Sequence, residues 1–261
     1  MSLSPDIDAA TAVEHLLESE GSKMYGLALK LCRNQSDAED LVQDVFLQAY
    51  RKWGQFEGRS EPSSWLYTIA SRLCMRRQRQ RAGEPQRLES LQDLLPIGEV
   101  DVPQVPSSVD TPLDEHLRRE ARERVEIALS ELPVHLRLPV VLKDIAELSV
   151  AQVSEVLGIK QATVKTRVHR ARLALRRAMV EVLPKRHTPP PDHPQQVCLD
   201  LLSAKQEALD HGAEFPVAPE ELCSRCQSLL STLELSQEVC RELDIDRLPP
   251  EIRQAISERL R

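Results

Sequence analysis

Apolar residues recur at three-to-four spacing along most of this chain, and glycine is scarce, 8 residues in 261. That period lets an α-helix turn one stripe toward a core, whereas strands need strict alternation. An all-α fold is therefore expected. Two stretches break the pattern: 83–112, with Pro85, Pro96, Pro103, Pro106 and Pro112, and 185–194, with Pro189-Pro190-Pro191. Proline fixes φ and removes a helical donor, so both read as extended linkers, the second the stiffer. They divide the chain into a helical block over 9–82, a linker over 83–112, a second helical block over 113–184, a proline-rich connector over 185–197 and a tail over 198–261. In the tail, helices are expected near 198–211 and 220–243.

The formal net charge of -7 hides a segregation. Residues 188–261 hold 14 Asp/Glu and 7 Lys/Arg, a net of -7 by themselves. Between Lys160 and Arg186 nine Lys/Arg face the single Glu181, and between Arg72 and Arg87 six Arg face the single Glu84. Two basic blocks in an acidic chain are a localised footprint of the kind phosphate binding requires. No signal peptide opens the chain and no apolar run approaches the roughly 18 residues of a membrane span, so a cytoplasmic protein without membrane insertion is expected.

The second block contains the most specific pattern. Ser149 to Gln152 has the form of a capping box that starts a short helix carrying Val153, Val156 and Leu157. Gly158 can take the positive φ of a turn, and a longer helix follows with the stripe Val164, Val168, Ala171 and Leu175. At 100° per residue the opposite face presents Ala162, Thr163, Thr166, His169 and Arg170, flanked by Lys165 and Arg177. Small and hydrogen-bonding side chains with cations beside them suit a recognition helix in the DNA major groove. In the first block, Ser36 and Glu39 form a second capping-box pattern, and the helix after it buries Leu41, Val45 and Ala49 while exposing Asp40, Gln43 and Asp44.

These residues resemble a known family. Leu129-Ser130-Glu131-Leu132-Pro133, Val140-Val141-Leu142, Ser149 through Ile159 and Thr163 through Arg172 look like region 4 of the extracytoplasmic-function (ECF) sigma factors. Asp37 through Phe46, Phe56-Glu57-Gly58 and Trp65 through Ala70 look like their region 2. The resemblance implies a promoter-specificity subunit of RNA polymerase, with region 2 a helical bundle and region 4 a helix-turn-helix. Asp40, Gln43 and Asp44 would engage the β′ clamp helices of core polymerase. Phe56, Gly58, Arg72, Arg76 and Arg77 would meet the −10 element. Thr163, Lys165, Thr166, His169 and Arg170 would meet the −35 element. The β flap would be a further partner, and the resemblance leaves room for a separate anti-sigma factor. Trp65 reads as a core anchor. Pro62 stands where the family usually has an aromatic or apolar residue, and His169 where an aromatic is frequent.

The tail adds chemistry of its own. Cys223-Ser224-Arg225-Cys226 is a C-x-x-C pair, with Cys198 upstream and Cys240 or His211 as candidate fourth ligand. Thiolates in this number can hold one Zn, Cd or Cu ion. A thiol redox switch, or a helical appendage with buried cysteines serving as a protein-interaction module, are the alternatives. The spacing is similar to that of zinc-binding anti-sigma domains, although Pro219 occupies their histidine position, and some ECF sigma factors carry a fused Cys-rich, metal-responsive C-terminal domain. A one-component helix-turn-helix regulator has no use for the region-2 pattern. The sequence shows no glycine-rich phosphate loop, nucleophile elbow or catalytic carboxylate cluster, so no catalytic residues are assigned and no enzyme activity is expected.

Overall fold

The computed structural model describes residues 6–32, 34–81, 101–105, 111–189, 193–243 and 247–260. The chain folds as two compact units: 1–86 with 151–160 and 244–261, and 87–150 with 161–243. The fold is helical as the periodicity requires, apart from one short pair of strands.

The first unit is built on α1 (Ala9–Leu31), α2 (Gln35–Lys52) and α3 (Pro62–Arg81). Helix α2 starts two residues earlier than the Ser36 pattern implies. Its cap is Asn34, whose Oδ1 accepts from the Asp37 amide at 2.8 Å while its Nδ2 donates to the Asp37 carboxylate at 3.0 Å. Asparagine in extended backbone is as good a cap as serine, and here it stands at the right position. Leu41, Val42, Val45, Phe46 and Ala49 are buried as read, against Leu16, Leu17, Met24 and Leu27 of α1 and Leu66 and Ala70 of α3. A 3₁₀ turn at Trp53–Gln55 follows α2, and Trp53 donates from its indole to the Ile7 carbonyl at 2.8 Å.

The second unit holds α4 (Pro112–Glu131) and α5 (Val134–Val140), which runs directly into a π-helical turn at Val141–Ile145. The widened turn follows Pro139, which cannot donate within the helix. It places Asp144, 1% exposed, in the interior. Helix α6 (Val150–Leu157), grouped with the first unit from residue 151, begins just after Ser149, and Gly158 with φ 65° precedes α7 (Gln161–Val180) of the second unit. Val164, Val168, Ala171 and Leu175 are all buried, the first three completely, and Ala121, Val125 and Leu129 of α4 pack on the same side.

The tail is more structured than a proline-rich connector and two helices. Lys185–His187 forms β2, which pairs antiparallel with β1 (Asp101–Pro103) from the linker. Helix α8 (Gln195–His211) ends at Gly212 in the left-handed conformation, and α9 (Ser224–Glu242) and α10 (Pro250–Arg259) follow. Leu173 of α7 meets Leu202 of α8 and Leu229, Leu230 and Leu233 of α9 in one apolar seam, flanked by Phe215 and Leu222. A fully buried leucine contributes about 1.5–3 kcal/mol and a surface ion pair about 0–1 kcal/mol, so this seam holds the tail on α7. Residues 83–100 and 106–110 of the linker lie outside the described residues. No helix among the described residues is long and apolar enough to cross a membrane.

Candidate nucleic-acid interface and thiol cluster

On α2 the three side chains expected to meet polymerase have different surroundings. Asp40 is exposed. Asp44 accepts from Arg77 at 2.7 Å, and the same guanidinium reaches the Asp37 carbonyl at 3.0 Å. Arg77, expected on the −10 side, is therefore engaged in joining α3 to α2. Gln43 accepts from Arg259 at the end of α10 at 3.3 Å. Helix α10 packs against α2 and α1 through Ile256 and Leu260, both buried, with Arg253 near Glu18 at 3.5 Å.

Phe56 is a core residue, contrary to the expected −10 contact. It is 5% exposed, stacks on Trp53 at 4.9 Å and tilts against Trp65 at 5.4 Å. Three aromatics bury enough apolar area to fix the end of α2 on α3, which is the anchoring role read for Trp65. Gly58 follows in the left-handed conformation at φ 68°. Beside this cluster Arg72 and Arg76 project from α3 into a cleft of about 360 Å³, shared with Gln48, Lys52, Gln55, Trp65 and Thr68. Three cations around an aromatic edge form an arrangement suited to single-stranded nucleic acid.

The outer face of α7 carries the expected −35 residues. Thr166 is exposed, bonding back to the Ala162 carbonyl at 2.9 Å, while Thr163 and Arg170 are half-buried. Two of the others are covered by α8. Lys165 pairs with Glu207, and His169 Nε2 lies 2.9 Å from the Asp210 carboxylate. Behind them is a buried network that the sequence reading did not find. Arg172, 1% exposed, forks onto both oxygens of Asp144 at 2.8 Å, reaches Asp210 at 2.7 Å and Gln206 at 3.2 Å, and Gln237 donates to Asp144 at 3.0 Å. Burial by itself would raise the Asp210 carboxyl, but the His169 hydrogen bond and the Arg172 charge together hold it below its ordinary value. Arg172 lies in a run of cations that reads as a phosphate-binding face, and its acceptor Asp144 is brought to it in the interior by the π turn. Nearby, burial lowers the His135 imidazole, helped by the charges of Arg167 and Arg170.

Two tail residues expected to ligate a metal, Cys198 and Cys226, stand together, and one unexpected residue, His193, joins them. Cys198 Sγ is 3.8 Å from Cys226 Sγ, and His193 Nε2 is 3.4 Å from the first and 3.9 Å from the second. Cys223 adjoins this triad as the cap of α9, its sulfur accepting from the Cys226 amide at 3.5 Å, but it is not one of the three residues whose donor atoms all lie within 4.8 Å of one another. Cys240 and His211 do not belong to it. Cys240 lies fourteen residues beyond Cys226 on the continuous helix α9, and at 1.5 Å per residue the two are about 21 Å apart along the axis. His211 is separated from Cys198 in the same way along α8, and its Nδ1 donates to the Glu207 carbonyl at 2.8 Å. His193 was passed over because it sits in the stretch read as a stiff linker. A tetrahedral site with metal–sulfur bonds near 2.3 Å has sulfurs about 3.8 Å apart, the separation seen here. Burial, reinforced by the sulfurs of Cys223 and Cys198, pushes the Cys226 thiol well above its usual value, so a thiolate in this group calls for a cation. The donor set fits one soft or borderline divalent ion.

Comparison with known proteins gives the frame for these faces. The Sigma-70 region 2 family matches residues 16–84 and the Sigma-70, region 4 family residues 122–175. The ECF RNA polymerase sigma factor SigW of Bacillus subtilis is 32% identical over 60% of this chain and 83% of its own length. The chain belongs to the ECF sigma factors. SigM of Mycobacterium tuberculosis is 31% identical over 64% of this sigma factor and 77% of the relative, and SigE of Mycolicibacterium smegmatis 33% over 66% and 63%. As a sigma factor it is a DNA-binding transcription initiation factor and not an enzyme. Its basic cleft on α3 lies within the region 2 match, most of α7 within the region 4 match, and its thiol cluster beyond both.

Proposed function

We propose that this sigma factor joins core RNA polymerase in the cytoplasm, directs it to promoters through both elements, and is held inactive by its own tail when the thiol cluster carries a metal ion. One observation carries the reading. Helix α8 bears Cys198 of the cluster near its start and, about 14 to 18 Å further on, the carboxylates of Glu207 and Asp210 that cover Lys165 and His169. Sensor and mask are two ends of one rigid rod. At the other end of the tail, α10 lies on α2 and occupies Gln43, one of the residues expected to meet the β′ clamp helices.

Three side chains, His193, Cys198 and Cys226, lie within 4.8 Å of one another in this arrangement, with Cys223 beside them as the candidate fourth ligand. A bound Zn or Cd ion would supply charge neutralisation and a cross-link between the segment before α8, α8 itself and the start of α9. A ligand shifts an equilibrium toward the state that binds it, so occupancy stabilises the mask and loss of occupancy favours release. Lys165, Thr166, His169 and Arg170 are then free for the −35 duplex, and Arg72 and Arg76 for the −10 strand.

Co-elution with core polymerase tests this on the intact chain. The zinc-loaded chain is expected to elute apart from polymerase and the zinc-free chain with it. His193→Ala is expected to weaken zinc binding at least tenfold and to favour co-elution, whereas Cys240→Ser leaves zinc content unchanged. Equal co-elution with and without zinc overturns metal control. A chain that never meets polymerase overturns the sigma reading and favours a one-component regulator.

A further inference from the structure

The linker between the two sigma modules is itself gripped by the tail. Asp101, Val102 and Pro103 pair with His187, Arg186 and Lys185, and the Gln104 amide donates to the Pro184 carbonyl at 2.8 Å. Val102 is buried, and Ser228 of α9, itself buried, donates its hydroxyl to the Pro103 carbonyl at 2.6 Å. Two strands of three residues do not persist in water without a third element to cover them, so the pairing depends on α9.

The part of α9 that supplies this cover is its first turns, which also carry the thiols. Within 223–228, Cys226 belongs to the cluster, Cys223 adjoins it and Ser228 holds the linker. Between the two cysteines, Arg225 donates to the carbonyls of Thr188 at 3.1 Å and Pro189 at 2.9 Å, the residues that lead from β2 toward His193. One side of this six-residue stretch thus fixes the strand partner of the linker, and the other fixes the linker directly. We propose that the thiol–imidazole cluster controls a linker latch: while His193, Cys198 and Cys226 are held together, residues 101–104 are captive as a strand, and dismantling the cluster sets them free. This rests on the reading of the cluster as a metal site. It extends the tail's control from the two outer faces to the tether that lets the modules adopt the spacing of the two promoter elements.

Hydrogen exchange on the full chain tests the latch, with zinc as the probe. In the zinc-loaded chain the Gln104 amide is expected to be protected. Removing zinc is expected to speed its exchange at least tenfold, while amides in the middle of α2 keep their rates. Ser228→Ala is expected to speed Gln104 exchange with zinc content unchanged. Zinc content and thiol accessibility, measured on the same samples, separate the two readings. If about one zinc binds per chain and its removal exposes the thiols, but Gln104 exchanges at the same rate, the latch is wrong and the metal site stands. If no zinc binds, both fall. Unchanged Gln104 exchange in zinc-loaded Ser228→Ala also overturns the latch.

Discussion

Replacing Arg172 with alanine is expected to cost the second unit about 3–5 kcal/mol, because it breaks a buried ion pair and leaves its carboxylate partners in the interior. The guanidinium is 1% exposed and serves two carboxylates, Asp144 with both its oxygens and Asp210, each with a side chain shut off from solvent. Its removal strands two buried negative charges, with Gln237 as a remaining donor to Asp144 and His169 to Asp210. Arg172→Lys keeps a charge but cannot fork, and is expected to fall between the alanine variant and the parent. Urea unfolding followed by circular dichroism measures the effect. A loss below about 1 kcal/mol would show that the network is not the electrostatic centre of this unit.

Leu202→Ala is expected to unmask the recognition helix and raise the affinity of the intact chain for a −35 duplex by tenfold or more. The argument is one of magnitudes. The part-exposed Lys165–Glu207 pair is worth about 0–1 kcal/mol, whereas truncating a buried leucine costs about 2–5 kcal/mol. Apparent affinity rises in proportion to the competent fraction, at about 1.4 kcal/mol per decade. Fluorescence anisotropy with a labelled duplex at fixed salt measures the shift, and an unchanged affinity would mean that α8 does not compete with DNA. Asp210→Asn is expected to act in the same direction but less, because the seam persists. The pH dependence has a definite sign. Since the Asp210 carboxyl is held below its ordinary value of 3.8, its contribution to the mask is complete above that value. It is lost as pH falls through the depressed value, so this group leaves the mask flat between about pH 5 and 8.

Much of the scaffold was legible because it follows from period and punctuation. The stripe of α7, the glycine turn before it and the apolar face of α2 depend only on spacing along one helix. What eluded the sequence depends on segments brought together from far apart. Phe56 carries the same aromatic signature whether it stacks on DNA or on Trp53. Arg172 is one cation in a basic run until the π turn brings Asp144 beneath it. Cys240 could have been excluded, since the helix predicted over 220–243 already carries it far from Cys226. His193 could not have been included, because only the fold of 185–197 brings it onto the thiols. The strand pairing of 101–103 had no signal, being three residues long and stabilised by a distant helix.

The most direct test of the account is transcription of genomic DNA by core polymerase supplemented with the intact chain, zinc-loaded or zinc-free, with the 5′ ends of the transcripts mapped. The account predicts start sites that core polymerase does not use alone, sharing one pair of upstream elements and several-fold more abundant with the zinc-free chain. Start sites identical to those of core polymerase alone, with either form of the chain, would contradict it.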